Sequence, residues 1–373
     1  MKLAVRFLSL FVVSSFLLSA CASAPDAGGG KKEGGKLYIA LALDTLEEER
    51  WTRDKLHFEE RCKELNLQCE VTVGNKSAEN QANQVDNLLT KGVEVLIIAP
   101  NNAQQAASMV EKAKAQGVPV ISYDRLIKSD QIDLYISHQV TRIGKMQAEY
   151  ALKKAPKGNY IMVYGDAADN NSLLLKDAQL EVLKPAIDKG DIKIVTEQAA
   201  KGWSRNEALK IVENALTQNK NDVVAVVASN DGTASGAIQA LKAQGLAGKV
   251  IVTGQDADLV ALQSIAQGEQ TMTIYKPIKP LAFSAVDAAV RLAKKEKVET
   301  NATIKAVNKE IPAILHDPMV VDAENMMQTV IKDGYQLFDD VYKNVPSEKR
   351  PRQNAKLFDK HYIREEKFAL SEA

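Results

Sequence analysis

Polar and aromatic side chains stand out where they follow a run of apolar residues or open the helix after one, among them Asp44, Glu49, Asp166, Asn170, Asp231, Gln255 and Asp258. Arg50 and Trp51 come shortly after Leu37–Leu43, and Asp124-Arg125 directly after Val118–Tyr123. Asp169 and Asn171 close the loop after Tyr160–Tyr164, and Trp203 follows Ile192–Val195. Asn230 follows Val223–Ala228, Asp256 follows Val250–Thr253 and Lys276 follows Thr271–Tyr275. Carboxylates and amides can take neighbouring hydroxyls two at a time. Indole faces stack on the C–H patches of a pyranose ring. Together these types suit a neutral, polyhydroxylated ligand. An anion site would need more positive charge or a glycine-rich helix start.

Catalytic and cofactor signatures are absent. There is no G-x-G-x-x-G, no Walker A and no G-x-S-x-G, so neither a cofactor nor an enzymatic activity is expected. His57, His138, His316 and His361 are scattered without metal-ligand spacing. Asp256-x-Asp258 does not continue as a calcium loop and reads instead as the start of a helix at Leu259. The 373 residues carry 48 basic and 48 acidic side chains, a balance that argues against a nucleic-acid partner.

The elements that must hold these residues alternate. The short apolar runs read as strands covered on both faces. Amphipathic segments lie between them, clearest at Arg205–Thr217, with Ser204 and Glu207 in capping-box spacing. Strict alternation implies an α/β protein with parallel sheets. About a dozen strands are too many for one comfortable open sheet, so two doubly wound lobes are expected. The boundaries are 37–135 plus 276–310 for the first lobe and 136–275 plus 311–341 for the second. Three crossings, near Tyr135–Ser137, Tyr275–Pro277 and Ile311–Val320, would form a hinge. Alternation alone also allows two sequential domains. In open α/β sheets ligands bind beyond the carboxyl ends of the strands, where these residues lie.

The ends of the chain differ from the body. Lys2, Arg6 and the apolar run Leu8–Leu18 read as a signal peptide over 1–20. Leu18-Ser19-Ala20-Cys21 resembles a lipobox, so Cys21 is expected to be lipidated and to anchor the protein to a membrane outside the cytoplasm. Residues 21–36, rich in Gly, Ala, Ser and Lys, read as a flexible tether. Residues 342–373 read as a charged, solvated tail, with Phe358, Tyr362 and Phe368 the only candidates for packing. Cys62 and Cys69 lie at a helix and a strand start, where a bridge is conceivable; two buried thiols are the favoured expectation.

Longer stretches carry a resemblance. Glu49-Arg50-Trp51, Tyr123-Asp124-Arg125, Asp169-Asn170-Asn171, Gly202-Trp203 and Ala228-Ser229-Asn230-Asp231 are similar to segments of the periplasmic sugar-binding proteins of ABC transporters, the type I group. Gly254-Gln255-Asp256-Ala257-Asp258-Leu259 and Thr271-Met272-Thr273-Ile274-Tyr275-Lys276-Pro277 resemble its xylose-binding members more particularly. The similarity covers roughly Lys36 to Tyr335. It implies a hinged two-lobe receptor that hands a monosaccharide to an ABC permease, acts as a monomer and contacts its ligand through ten residues: Arg50, Trp51, Asp124, Arg125, Asp169, Asn171, Trp203, Asn230, Asp256 and Lys276. It also implies preference for a pentose by leaving no room for a hydroxymethyl group. A sensor of the same fold signalling to a membrane kinase would carry the same features. Gln139-Val140 departs from the Asp-Asn that relatives tend to carry in that crossing.

Overall fold

A computed structural model describes residues 35–352. The expected signal peptide, Cys21 and nearly all of the tether lie outside those residues, as do Phe358, Tyr362 and Phe368. From β1 (Tyr38–Leu43) the chain runs through α1 (Glu49–Glu64), β2 (Gln68–Val73), α2 (Ala78–Thr90), β3 (Val95–Ile98), α3 (Ala107–Ala115), β4 (Val120–Tyr123) and β5 (Leu134–His138). A second run has α4 (Val140–Lys154), β6 (Gly158–Tyr164), α5 (Asn170–Asp188), β7 (Ile192–Ala199), α6 (Arg205–Gln218) and β8 (Ala225–Ala228). It continues with α7 (Asp231–Ala243), β9 (Ile251–Val252), α8 (Leu259–Ala266) and β10 (Thr273–Tyr275). Then come α9 (Ile278–Ala293), β11 (Ala302–Lys305), β12 (Glu310–His316), β13 (Met319–Val321) and α10 (Phe338–Val341).

The strands form two larger sheets and a small one. The first is seven-stranded, in the order β11-β12-β5-β4-β3-β1-β2, parallel except for β11. The second has the order β7-β6-β8-β9 and is parallel throughout. β10 and β13 pair antiparallel. Central strands are buried on both faces, which explains their unalternated apolar sequence. Successive residues of β1 still divide between two cores. Tyr38, Ala40 and Ala42 pack with α2 and α3, while Ile39, Leu41 and Leu43 pack with α1 and α9. In the second sheet Ile161 and Val163 face α6 and α7, and Tyr160 and Met162 face α4 and α5.

The chain passes between the larger sheets' lobes after β5, between β10 and α9, and between β12 and β13. This is the α/β architecture of two parallel-sheet lobes with three crossings. Residues 311–316, expected in the second lobe, instead complete β12, which pairs in parallel with β5. Ile311 and Ala313 point into the first lobe's core, and that burial keeps the strand there until His316. The tail also begins later than expected. Tyr342 and Val345 are buried with Ala257, Leu262 and Val330, because α10 docks on the second lobe and carries them in.

Cys62 and Cys69 form a disulfide, which corrects the expectation of two thiols. The turn after α1 passes through Asn66 at a φ of 54° and folds β2 back along the helix end. The two Cα atoms are thereby 6.3 Å apart, within bridging range. Its short loop sets the expected contribution, and a Cys62→Ser, Cys69→Ser chain should lose about 2 kcal/mol of stability in equilibrium denaturation.

Candidate functional site

The carboxyl ends of the strands deliver the polar residues. Asp124 and Arg125 leave β4 directly, and Arg50 and Trp51 occupy the first turn of α1. Asp169 caps α5, its Oδ1 accepting from the Asn171 backbone N–H at 2.8 Å. Asn230 caps α7 in a full capping box, its Oδ1 accepting from Thr233 N while Thr233 Oγ1 accepts from Asn230 N. At Ser204, by contrast, the hydroxyl caps α6 and only that half of the expected box is present among the described hydrogen bonds. Asp256 follows β9, and Lys276 follows β10. α8 begins at Leu259, as the Asp256-x-Asp258 spacing suggests.

All ten expected residues line one pocket between the lobes, joined by Glu48 and Gln255. In this arrangement the lobes leave a cavity of about 30 Å³ between these side chains. Gln255 carries a sequence signal, since it opens the loop after a strand. Glu48 is flagged only by its place just before the Arg50-Trp51 pair.

Asp124 is the hub. Its Oδ1 accepts from Arg50 Nη1 at 2.6 Å and lies 3.8 Å from Lys276 Nζ. Burial would raise its pKa, but Arg50 and Lys276 outweigh burial and hold the carboxyl well below the usual carboxylate range. Its backbone is left-handed, with a φ of 57°, and its carbonyl accepts from Tyr135 Oη, Ser137 Oγ and Asn171 Nδ2. The last bond crosses from the second lobe to the first. Arg50 is fixed from behind by Asp54, which accepts from Nε at 3.0 Å and Nη2 at 3.1 Å. Lys276 Nζ lies 2.9 Å from Asp256 Oδ1.

A second cluster holds the indoles. Arg125 pairs with Asp44 at 2.8 Å and with Asp169 at 2.9 Å, another contact between lobes. Burial opposes charge on Arg125, but Asp169 and Asp44 outweigh it and keep the guanidinium ionised. Trp203 Nε1 donates to Asp169 Oδ2 at 3.2 Å. Arg50 lies over the Trp51 ring at 4.2 Å. Both indoles are therefore core and lining at once. Trp203 fits only because residue 165 is glycine, where an added Cβ would fall 2.2 Å from the ring. Gly165→Ala should push the indole into the pocket space, lowering ligand affinity at least tenfold in calorimetry and changing tryptophan fluorescence.

Behind Asp256 lies a buried acidic group. Asp231 accepts from Gln270 Nε2 at 2.9 Å, Thr273 Oγ1 at 2.9 Å and Asp258 N at 3.0 Å. Burial, then the charge of Asp256, pushes its pKa up to about 8. Burial followed by Asp231 also raises Asp258. Between about pH 4 and pH 8 the folded chain thus keeps a proton that the unfolded chain has released, and rising pH costs stability across that window. The melting temperature of Asp231→Asn should fall less steeply over this range than that of the unaltered chain.

Residues 39–297 match the periplasmic binding protein domain family, and the chain belongs to that family. It is a binding protein, not an enzyme. It is 44% identical to the D-xylose-binding periplasmic protein of Haemophilus influenzae, over 82% of this chain and 92% of that one. It is 42% identical to the D-xylose-binding periplasmic protein of Escherichia coli, over 87% of this chain and 98% of that one. A carbohydrate transporter solute-binding protein from Chloroflexus aurantiacus, solved in complex with D-glucose, superposes with a TM-score of 0.77. Its identity is 31%, over 81% of this chain and 97% of that structure.

Proposed function

We propose that this protein is an extracytoplasmic receptor for a monosaccharide, D-xylose first among them, and delivers it to an ABC permease. The carrying observation is a polar pocket built from both lobes, whose buried acceptors include Asn171 Oδ1 with no protein donor. Sugar hydroxyls are donors of the right kind, and an unpaired buried acceptor otherwise costs about 1–3 kcal/mol. Asp124, Arg125, Asp169, Asn171, Asn230, Asp256 and Lys276 would bond the hydroxyls and ring oxygen. Trp51 and Trp203 would cover the ring, and Arg50 would hold Asp124. The two relatives named for D-xylose favour that sugar.

The three crossings act as the hinge between lobes 37–135 plus 276–310 and 136–275 plus 311–341, with β12 carried by the first. Sugar bound to one lobe recruits the other. The closed form is held by Arg125–Asp169, Asn171 to the Asp124 carbonyl and Leu259 N to Glu49 Oε2 at 2.8 Å. The protein works as a monomer, tethered through lipidated Cys21. No helix among the described residues is long and apolar enough to cross a membrane.

Calorimetry with xylose, ribose, arabinose and glucose should give xylose the tightest binding among the pentoses; no heat with xylose would overturn the assignment. Asp256→Ala strands Lys276 and should weaken binding by about 2–5 kcal/mol. Cys21→Ser should abolish incorporation of labelled palmitate and release the protein from membranes.

A further inference from the structure

We infer that Glu48 is a specificity-determining residue that accepts a hydrogen bond from a ligand hydroxymethyl group, so that the pocket takes aldohexopyranoses as well as the pentose. The inference rests on the monosaccharide reading above. Glu48 is the residue before α1, with an extended backbone, yet its side chain does not cap that helix. It lines the pocket instead. Its Oε2 is buried and no protein donor bonds it. Burial raises its pKa, and the charges of Arg125 and Lys76 offset that only in part. A carboxylate oxygen kept this way is paid for only if something else donates to it.

The position says which ligand atom that is. Glu48, Arg125, Asp169 and Trp203 line both the pocket and a wider cleft of about 620 Å³ beside it. Arg125 is committed to Asp44 and Asp169, and Asp169 to Arg125, Trp203 and the α5 N-terminus. The acceptor left at that boundary is Glu48 Oε2. Ring hydroxyls would be served by Asp124, Asn171, Asp256 and Lys276, which line the pocket and not the cleft. A substituent that extends past the ring belongs where the wall opens. In a pentopyranose C5 is a bare methylene and donates nothing. In an aldohexopyranose it carries a rotatable CH₂–OH, a donor of the needed length. Exclusion of this group for want of room is what the resemblance to pentose binders implies; the wall at Glu48 offers it an acceptor beside the adjoining cleft.

The test is calorimetry of the whole chain with D-xylose, D-glucose and 6-deoxy-D-glucose, the last keeping the carbon but not the hydroxyl. The unaltered protein should bind both xylose and glucose, and glucose roughly tenfold or more tighter than its 6-deoxy analogue. Glu48→Leu should bring that ratio close to one, and Glu48→Gln, which keeps an acceptor, should restore part of it. Xylose binding with no glucose binding, or with no difference between glucose and its 6-deoxy analogue, overturns the role of Glu48. A ratio that survives in Glu48→Leu does the same. Binding of none of the three sugars overturns the monosaccharide reading itself. The comparison within the unaltered protein keeps the proposal falsifiable whatever the variants' folding.

Discussion

The site depends on neutralising charge that has been taken out of water. Arg50, Asp54, Asp124, Arg125, Asp169, Asp256 and Lys276 are all nearly inaccessible to solvent in one region of the molecule. Burying an ion is tolerable only when a partner of opposite sign sits close and the remaining hydrogen-bonding capacity is filled. Here each cation bridges two anions: Arg50 joins Asp54 to Asp124, Arg125 joins Asp44 to Asp169, and Lys276 joins Asp124 to Asp256. The chain of pairs links loops from both lobes. In this arrangement the charges are matched across the lobes, and separating the lobes would expose several of them together.

That network also sets the backbone. Asp124 occupies a left-handed conformation that a non-glycine residue adopts at some cost. Three donors on its carbonyl and two cations at its carboxylate hold it there. The indoles follow the same logic. Trp51 is held under Arg50 and Trp203 is tied to Asp169 and seated on Gly165, so each presents a fixed surface with little rotamer freedom to lose.

Much of the fold is legible in the residues, because strands buried on both faces must be apolar throughout and their carboxyl ends must carry the polar work. That rule alone placed Asp124, Asn230, Asp256 and Lys276 in one pocket, where the structure has them. Glu48 escaped it because it belongs to neither a strand end nor a motif; only the path of the loop into α1 turns its carboxylate inward. The bridge between Cys62 and Cys69 depends on a tight turn whose reversal the spacing of two cysteines does not encode. β12 and the Tyr342–Val345 segment were misplaced for a shared reason. Each is short, and its location follows from which apolar surface it covers, a long-range matter that local pattern does not carry.

The sequence by itself determined the element types and the loops that carry polar residues past the strand ends, since these follow from hydrophobic period, side-chain inventory and position after a strand; the resemblance narrowed those residues to ten. The tertiary structure decided what those residues do to one another: which cation answers which carboxylate, which acceptor is left unpaired, and where the pocket wall opens. The physical reason is that pairing energies depend on distances of a few ångströms between residues as far apart in the chain as Arg50 and Asp124, and only the packing of two lobes sets those distances.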